Sequence, residues 1–414
     1  PAALLSYILA GTIVFIVMRM LGEMAITHPG VRTFTEFSRA GLGDAAGFIA
    51  GWLYWYFWIV VVPIEAIAGA QILQQWIDLP MWQLGLGLMA VMTAVNLLSA
   101  RSYGEFEFWF SSIKVAAIIA FILVAAAFAF GLTSPDGATF ANLTDHGGFA
   151  PKGWVPVVAT VTTVFFSLVG AEITTVAAAE SKDPEKAVVR MATTITWRIL
   201  LFYVVSLGLI VCVVAWPMVK PGESPFTLAL NVMGFKWGSA VMSFIILTAV
   251  LSCLNSAVYV CSRVLHVMAD RGDAPRWLAE VNSQRVPARS ILLGSLVGVI
   301  GVVIAIVSPN RVFAFLISTT GTVILFVYLM TAVAHIRLRR RHPETETKAV
   351  RVWLFPWLSY VTIGGMVAVL VATSFRLVLP HRVQSHSAVV AGTVISVLLV
   401  LVRALSRSRG QCLQ

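Results

Sequence analysis

Three ionisable side chains stand inside long apolar runs: Lys114, Glu65 and Glu172. If those runs lie in lipid, each needs a reason, because a charge at the bilayer centre costs on the order of 3 kcal/mol even on lenient insertion scales. Lys114 follows Glu105-Phe106-Glu107-Phe108-Trp109-Phe110-Ser111-Ser112-Ile113, two helical turns past the nearest acids. It reads either as a buried amine that gains and loses a proton or as a side chain snorkelling to the headgroups. Glu172 comes shortly after Ser167 and Gly170, with Thr162 and Thr163 one to two turns earlier. Glu65 sits in Val62-Pro63-Ile64-Glu65-Ala66, where Gln71 is the next polar residue. Both carboxyls are candidate proton carriers, the alternative being a neutral acid bonded to nearby backbone. Glu23, with Arg19 one turn earlier, reads as an ion pair at the membrane surface.

Two further patterns could serve a polar cargo. Ser252, Asn255, Ser256, Tyr259 and Ser262 recur at spacings of three and four, which puts them on one helix face. Such a stripe lines a pathway or bonds to a neighbouring helix. Trp52, Tyr54, Trp55, Tyr56, Phe57 and Trp58 suit an interfacial aromatic belt first and the floor of a substrate pocket second. Around Phe166, Ser167, Leu168, Val169 and Gly170, small and polar residues interrupt an apolar run. A local break there would free backbone N–H and C=O groups, tolerable only where they line a cavity or hold something; a tight helix crossing at Gly170 is the other reading.

The elements that position these residues follow from composition. The chain has 414 residues, 59% hydrophobic and 12% charged, with mean hydropathy +0.88. A soluble domain carries about one quarter charged residues. Eleven apolar runs recur: Ala2–Leu21, Gly47–Trp76, Trp82–Leu98, Phe108–Gly131, Val155–Ala179, Ile199–Trp216, Ala240–Val267, Ile291–Val307, Phe313–His335, Leu354–Phe375 and Ala388–Val402. A span of about 20 residues crosses a hydrocarbon layer of about 30 Å. Runs such as Ile118–Phe130 do not alternate as barrel strands do, which leaves helices. The expected fold class is therefore an all-α integral membrane protein.

The net charge of +10 does not mark a nucleic-acid partner. With the tail after Val402 placed in the cytoplasm, 22 of the 29 Lys and Arg fall on the cytoplasmic side and six outside, with Lys114 in a span. That is the positive-inside bias, and it supports the helix alternation. Because eleven spans put Pro1 outside, a preceding piece with one more span is expected. Cys212, Cys253, Cys261 and Cys412 form no close pair, so reduced thiols and no metal site are expected. The sequence contains no Walker loop, HExxH or GxSxG, which argues against nucleotide-driven or hydrolytic chemistry and calls for no cofactor. Asn142-Leu143-Thr144 matches a glycosylation sequon.

Phe166-Ser167-Leu168-Val169-Gly170-Ala171-Glu172, with Ala178-Ala179-Glu180-Ser181-Lys182-Asp183-Pro184-Glu185-Lys186-Ala187, resembles the sixth-span signature of permeases in the amino acid, polyamine and organocation superfamily. Gly22-Glu23-Met24, Ser252-Cys253-Leu254-Asn255-Ser256-Ala257 and Arg271-Gly272-Asp273-Ala274-Pro275 resemble it too, in the family's order. Within the family, Pro63-Ile64-Glu65-Ala66-Ile67-Ala68, Asn96-Leu97-Leu98-Ser99-Ala100-Arg101, Tyr103-Gly104-Glu105-Phe106-Glu107-Phe108-Trp109 and Trp353-Leu354-Phe355-Pro356-Trp357 are similar to bacterial 4-aminobutyrate permeases. The resemblance implies an inverted repeat of five plus five helices and two more, with the first helix absent from this chain. Residues 1–132 would be helices two to five, 153–336 six to ten, and 353–404 the last two. It further implies a secondary transporter in a bacterial inner membrane that imports an amino acid with a proton. Other readings are exchange, another amino acid, or more remotely a channel or membrane enzyme.

In that scheme the backbone at Phe166, Ser167, Leu168, Val169 and Gly170 meets the substrate, and Lys114 and Glu172 couple the proton. Glu65, Ser252, Asn255 and Ser256 line the path. Leu168 stands where the family often has an aromatic, so an aromatic gate at that position is not implied.

Overall fold

The computed structural model describes residues 1–28, 31, 34–98, 100–135, 137–174, 183–220, 223–235, 237–283, 286–341 and 351–378. All regular structure among them is helical. The helices are α1 (Ala3–Thr27), α2 (Glu36–Leu42), α3 (Asp44–Leu73), α4 (Met81–Leu98), α5 (Ala100–Ala129), α6 (Val155–Leu168), α7 (Pro184–Arg198), α8 (Ser206–Val213), α9 (Pro225–Val232), α10 (Gly238–Asp270), α11 (Ala288–Ile304), α12 (Pro309–Arg341) and α13 (Trp357–Val378). A π-helical stretch, Ile199–Val205, lies between α7 and α8 in sequence.

Among the described residues seven helices are long and apolar enough to cross a membrane, and Val155–Leu168, Ala288–Ile304 and Trp357–Thr373 are shorter apolar helices. Ten of the eleven expected runs coincide with these; Ala388–Val402 lies outside the described residues, as do Cys412, Glu180, Ser181 and Lys182. On α5 the side chains of Phe108, Trp109 and Leu123 are 65%, 66% and 67% exposed. Water would penalise that face, whereas lipid is its natural surrounding.

Helix ends follow local chemistry. Asp183 precedes α7, its carboxylate 3.5 Å from the Lys186 N–H, and Pro184 fills the first helical position, where no N–H is needed. The Lys186 ammonium, 2.8 Å away, holds the Asp183 carboxyl below its usual range. Ser224 caps α9 by accepting from the Thr227 N–H. The sequon asparagine is engaged structurally: Asn142 donates to the carbonyl of Cys212 at 2.8 Å.

The chain forms two compact units, each drawing on several stretches of sequence. One comprises residues 1–8, 58–157 and 197–314. Here α10 packs on α4, α5 and α11, and α11 on α4. Lipid gives apolar helices little reason to associate, so close approach through small residues supplies the packing. At Gly301 of α11 a Cβ would stand 2.4 Å from Pro63 Cβ of α3. Phe121, Ala125 and Phe128 of α5 form a further core with Ile210, Val213, Ala229 and Met242.

The other unit comprises residues 9–57, 158–196 and 315–414. Within it Glu23 overturns its expected pairing. Arg339 of α12 approaches the Glu23 carboxylate at 3.2 Å, the Val352 N–H donates to it at 2.8 Å, and His335 Nε2 lies 3.3 Å away. Arg19 instead donates to the Arg351 carbonyl and stacks over Trp353, 4.2 Å from the ring centre. An Arg placed four residues before a Glu is the less favourable helical order, and Arg339 brings a guanidinium from a second helix.

Candidate functional site

In the unit built from residues 9–57, 158–196 and 315–414, α6 stops at Leu168. Val169 and Gly170 form a turn, and residues 171–174 are helical again. Gly170 has φ +107°, a backbone that side chains rarely adopt, so glycine is what lets the chain turn here. Interrupting a helix frees backbone donors, and one finds its acceptor at once: the Gly170 N–H donates to Glu172 Oε2 at 2.9 Å. Tyr328 of α12 donates to the same oxygen at 3.0 Å, and Tyr54 of α3 donates to Oε1 at 3.0 Å. Glu172 and Tyr328 are fully buried and Tyr54 nearly so. A buried carboxyl thus pins the interrupted segment between two helices.

Phe34 meets the rings of both tyrosines edge-on, and Phe57 meets Phe166. The six-aromatic cluster is therefore more than an interfacial belt, because Tyr54, Phe57 and Trp58 are buried in α3 and Tyr54 reaches Glu172. Ser167 donates to the Val164 carbonyl of its own helix at 2.8 Å, and Leu168 is buried.

A Cβ at Gly321 of α12 would lie 2.0 Å from the Thr162 carbonyl oxygen of α6. Overpacking of this kind costs about 1–3 kcal/mol where neighbours can shift. Gly321→Ala is expected to push α6 off α12, lowering the melting temperature in detergent and impairing transport; unchanged melting and uptake would show that α6 has slack there.

The unit of residues 1–8, 58–157 and 197–314 holds the lysine. Lys114 Nζ donates to Ser252 Oγ of α10 at 2.7 Å and lies 3.9 Å from Glu107 Oε1. Ser252 in turn donates to the Glu107 carboxylate, both of whose oxygens are 2.8 Å away. Ser256 and Ser111 bond to the same carboxylate at 3.2 and 2.9 Å. The amine is thus held by α10 and Glu107. Glu65 is buried, with the Cys253 thiol as hydrogen-bond partner.

The serine and asparagine stripe divides by task. Ser252 and Ser256 serve the ionic cluster, and Asn255 accepts from Asn96 at 2.9 Å. Ser262 turns to its own helix, and Tyr259 lies under Arg263. Sequence reasoning missed Glu107 and Tyr328 and placed Tyr54 only in the aromatic cluster. Glu107 carried a signal, being on the Lys114 face at a seven-residue spacing. Among the described residues no group of three or more His, Cys, Asp or Glu could hold a metal ion.

Helices long and apolar enough to cross a membrane, with faces suited to lipid, define a multi-pass membrane protein. The crystal structure of the Eremococcus coleocola manganese transporter shares the fold, with a TM-score of 0.60 at 12% identity over 96% of this chain and 86% of that one. The chain belongs to the amino acid permease family, whose pattern matches residues 1–408. The gamma-aminobutyric acid permease of Bacillus subtilis (strain 168) is 42% identical, across 91% of this chain and 81% of its own. That of Escherichia coli (strain K12) is 38% identical, across 96% and 86%. The protein is accordingly an amino acid transporter and not an enzyme.

Proposed function

We propose that the protein imports 4-aminobutyrate together with a proton by alternating access across a bacterial inner membrane, with its C-terminal tail in the cytoplasm. The observation that carries the coupling is the Lys114 amine, turned onto Ser252 and Glu107 within the helices. The substrate follows from two relatives named as permeases for gamma-aminobutyric acid at 38% and 42% identity. The backbone at Phe166, Ser167, Leu168, Val169 and Gly170 meets the substrate, and Glu172 and Lys114 answer to the proton. Glu65, Ser252, Asn255 and Ser256 flank the path. Residues 1–132 and 153–336 supply the two repeats and 353–404 the closing helices.

A zwitterion moving with one proton carries one net charge, worth about 2.3 kcal/mol per 100 mV, or roughly 50-fold accumulation. Labelled 4-aminobutyrate uptake into proteoliposomes under an imposed pH gradient tests this reading. The wild type is expected to accumulate substrate only with the gradient, and Lys114→Ala to lose that dependence. Gradient-independent uptake that requires internal substrate would make the protein an exchanger. Stronger competition by α-amino acids than by unlabelled 4-aminobutyrate would change the substrate.

A further inference from the structure

We infer that Glu107 is the counter-ion that positions Lys114 and, through the hydroxyl of Ser252, the group that receives its proton. The inference rests on the proton coupling proposed above and adds the residue to which the proton goes.

The geometry carries it. Ser252 Oγ stands between the amine at 2.7 Å and the two carboxylate oxygens at 2.8 Å. A hydroxyl has one proton to give and lone pairs to accept with, so it accepts from the ammonium and donates to the carboxylate. Transfer along this line breaks one N–H bond of Lys114 and forms an O–H bond on Ser252, while the original hydroxyl proton of Ser252 passes to Glu107. The products are a neutral amine, an unchanged serine and a neutral carboxylic acid, with no other reactant needed. Both side chains stay partly exposed, at 27% for Lys114 and 28% for Glu107.

The surroundings favour this pair as the exchange point. Ser111 and Ser256 hold the Glu107 carboxylate in place from α5 and α10. Among the described residues, Glu65 of α3 and Cys253 of α10, which bond to each other, interact electrostatically with Lys114, and Tyr203 of the π-helical stretch interacts with Cys253. Asn96 of α4 is neutral and committed to Asn255. Glu107 lies seven residues before Lys114, toward the Arg101 end of α5. The charge bias of the sequence assigns that end to the cytoplasm, so the proton's path runs inward.

Proteoliposomes containing the wild type, Glu107→Gln, Glu107→Asp and Ser252→Ala are compared for two activities with labelled 4-aminobutyrate. One is accumulation under an imposed pH gradient; the other is one-for-one exchange with internal 4-aminobutyrate, which needs no net proton movement. The ratio of accumulation to exchange is expected to fall at least tenfold in Glu107→Gln and severalfold in Ser252→Ala. Glu107→Asp is expected to recover much of it, and the pH profile of uptake to flatten only in Glu107→Gln and Ser252→Ala. A wild-type ratio and pH profile in Glu107→Gln would overturn the inference while leaving proton coupling intact. So would an equal loss of both activities in Glu107→Gln that Glu107→Asp fails to repair. A wild type whose uptake ignores the gradient would instead sink the coupling itself, and the inference with it.

Discussion

Glu172→Ala is expected to abolish uptake and to lower the melting temperature of the detergent-purified protein by several degrees. The truncation takes an acceptor away from three donors at once: the hydroxyls of Tyr54 and Tyr328 and the Gly170 N–H. A buried donor that loses its acceptor costs roughly 1–3 kcal/mol, so the combined effect is among the largest a single substitution in this protein can produce. It falls on the interrupted segment, where φ at Gly170 is held at +107° by that same carboxyl. Glu172→Gln separates anchoring from chemistry. A glutamine can keep its oxygen toward Tyr328 and Gly170 and turn its NH2 to Tyr54, whose hydroxyl can accept. The Gln variant is therefore expected to melt within a few degrees of wild type yet lose gradient-driven uptake at least tenfold. Wild-type uptake by Glu172→Gln would reduce Glu172 to an anchor.

Membrane helices were legible in the sequence because lipid demands long apolar runs, and the charge bias between loops checked their number. The turn after Leu168 was also legible, since Ser167 and Gly170 break an apolar stretch in a way lipid penalises. Less visible were contacts that join distant parts of the chain. Glu107 reads locally as an acid near a helix entrance, because its partners Ser252 and Ser256 lie 145 and 149 residues away. Hydropathy also places the start of α5 at Phe108, whereas the helix begins at Ala100. The polar first turns carry no apolar signal even though they are helical. Tyr328 sits in an apolar run where a tyrosine looks like any other large residue, and only its approach to Glu172 sets it apart. Arg19 drew attention as the partner of Glu23 because sequence offers neighbours four apart; Arg339, 316 residues on, does the pairing.

That last pair yields the second large effect. Glu23 and Arg339 have side chains 6% and 4% exposed, and removing one member of a buried ion pair costs about 3–5 kcal/mol. Glu23→Ala is expected near the top of that range, because it takes the carboxylate from both the Arg339 guanidinium and the Val352 N–H. Arg339→Ala is expected to cost less, since Glu23 keeps the Val352 N–H at 2.8 Å and an uncompensated carboxylate can take up a proton. Replacing both at once, Glu23→Leu with Arg339→Met, is expected to cost less than the single Glu23→Leu change, because it strands no charge. Denaturing titrations in mixed micelles measure these variants together with the single Arg339→Met change that closes the cycle, and additivity within about 0.5 kcal/mol would show that the two side chains do not act as a unit. The same bond explains what the pair does for the fold. It ties residues 351–356 to the ends of α1 and α12, helped by Arg19 on the Arg351 carbonyl and by Arg339 over the Phe355 ring. Glu23→Ala should therefore open the Arg351–Val352 bond to trypsin, while the wild type resists cleavage there.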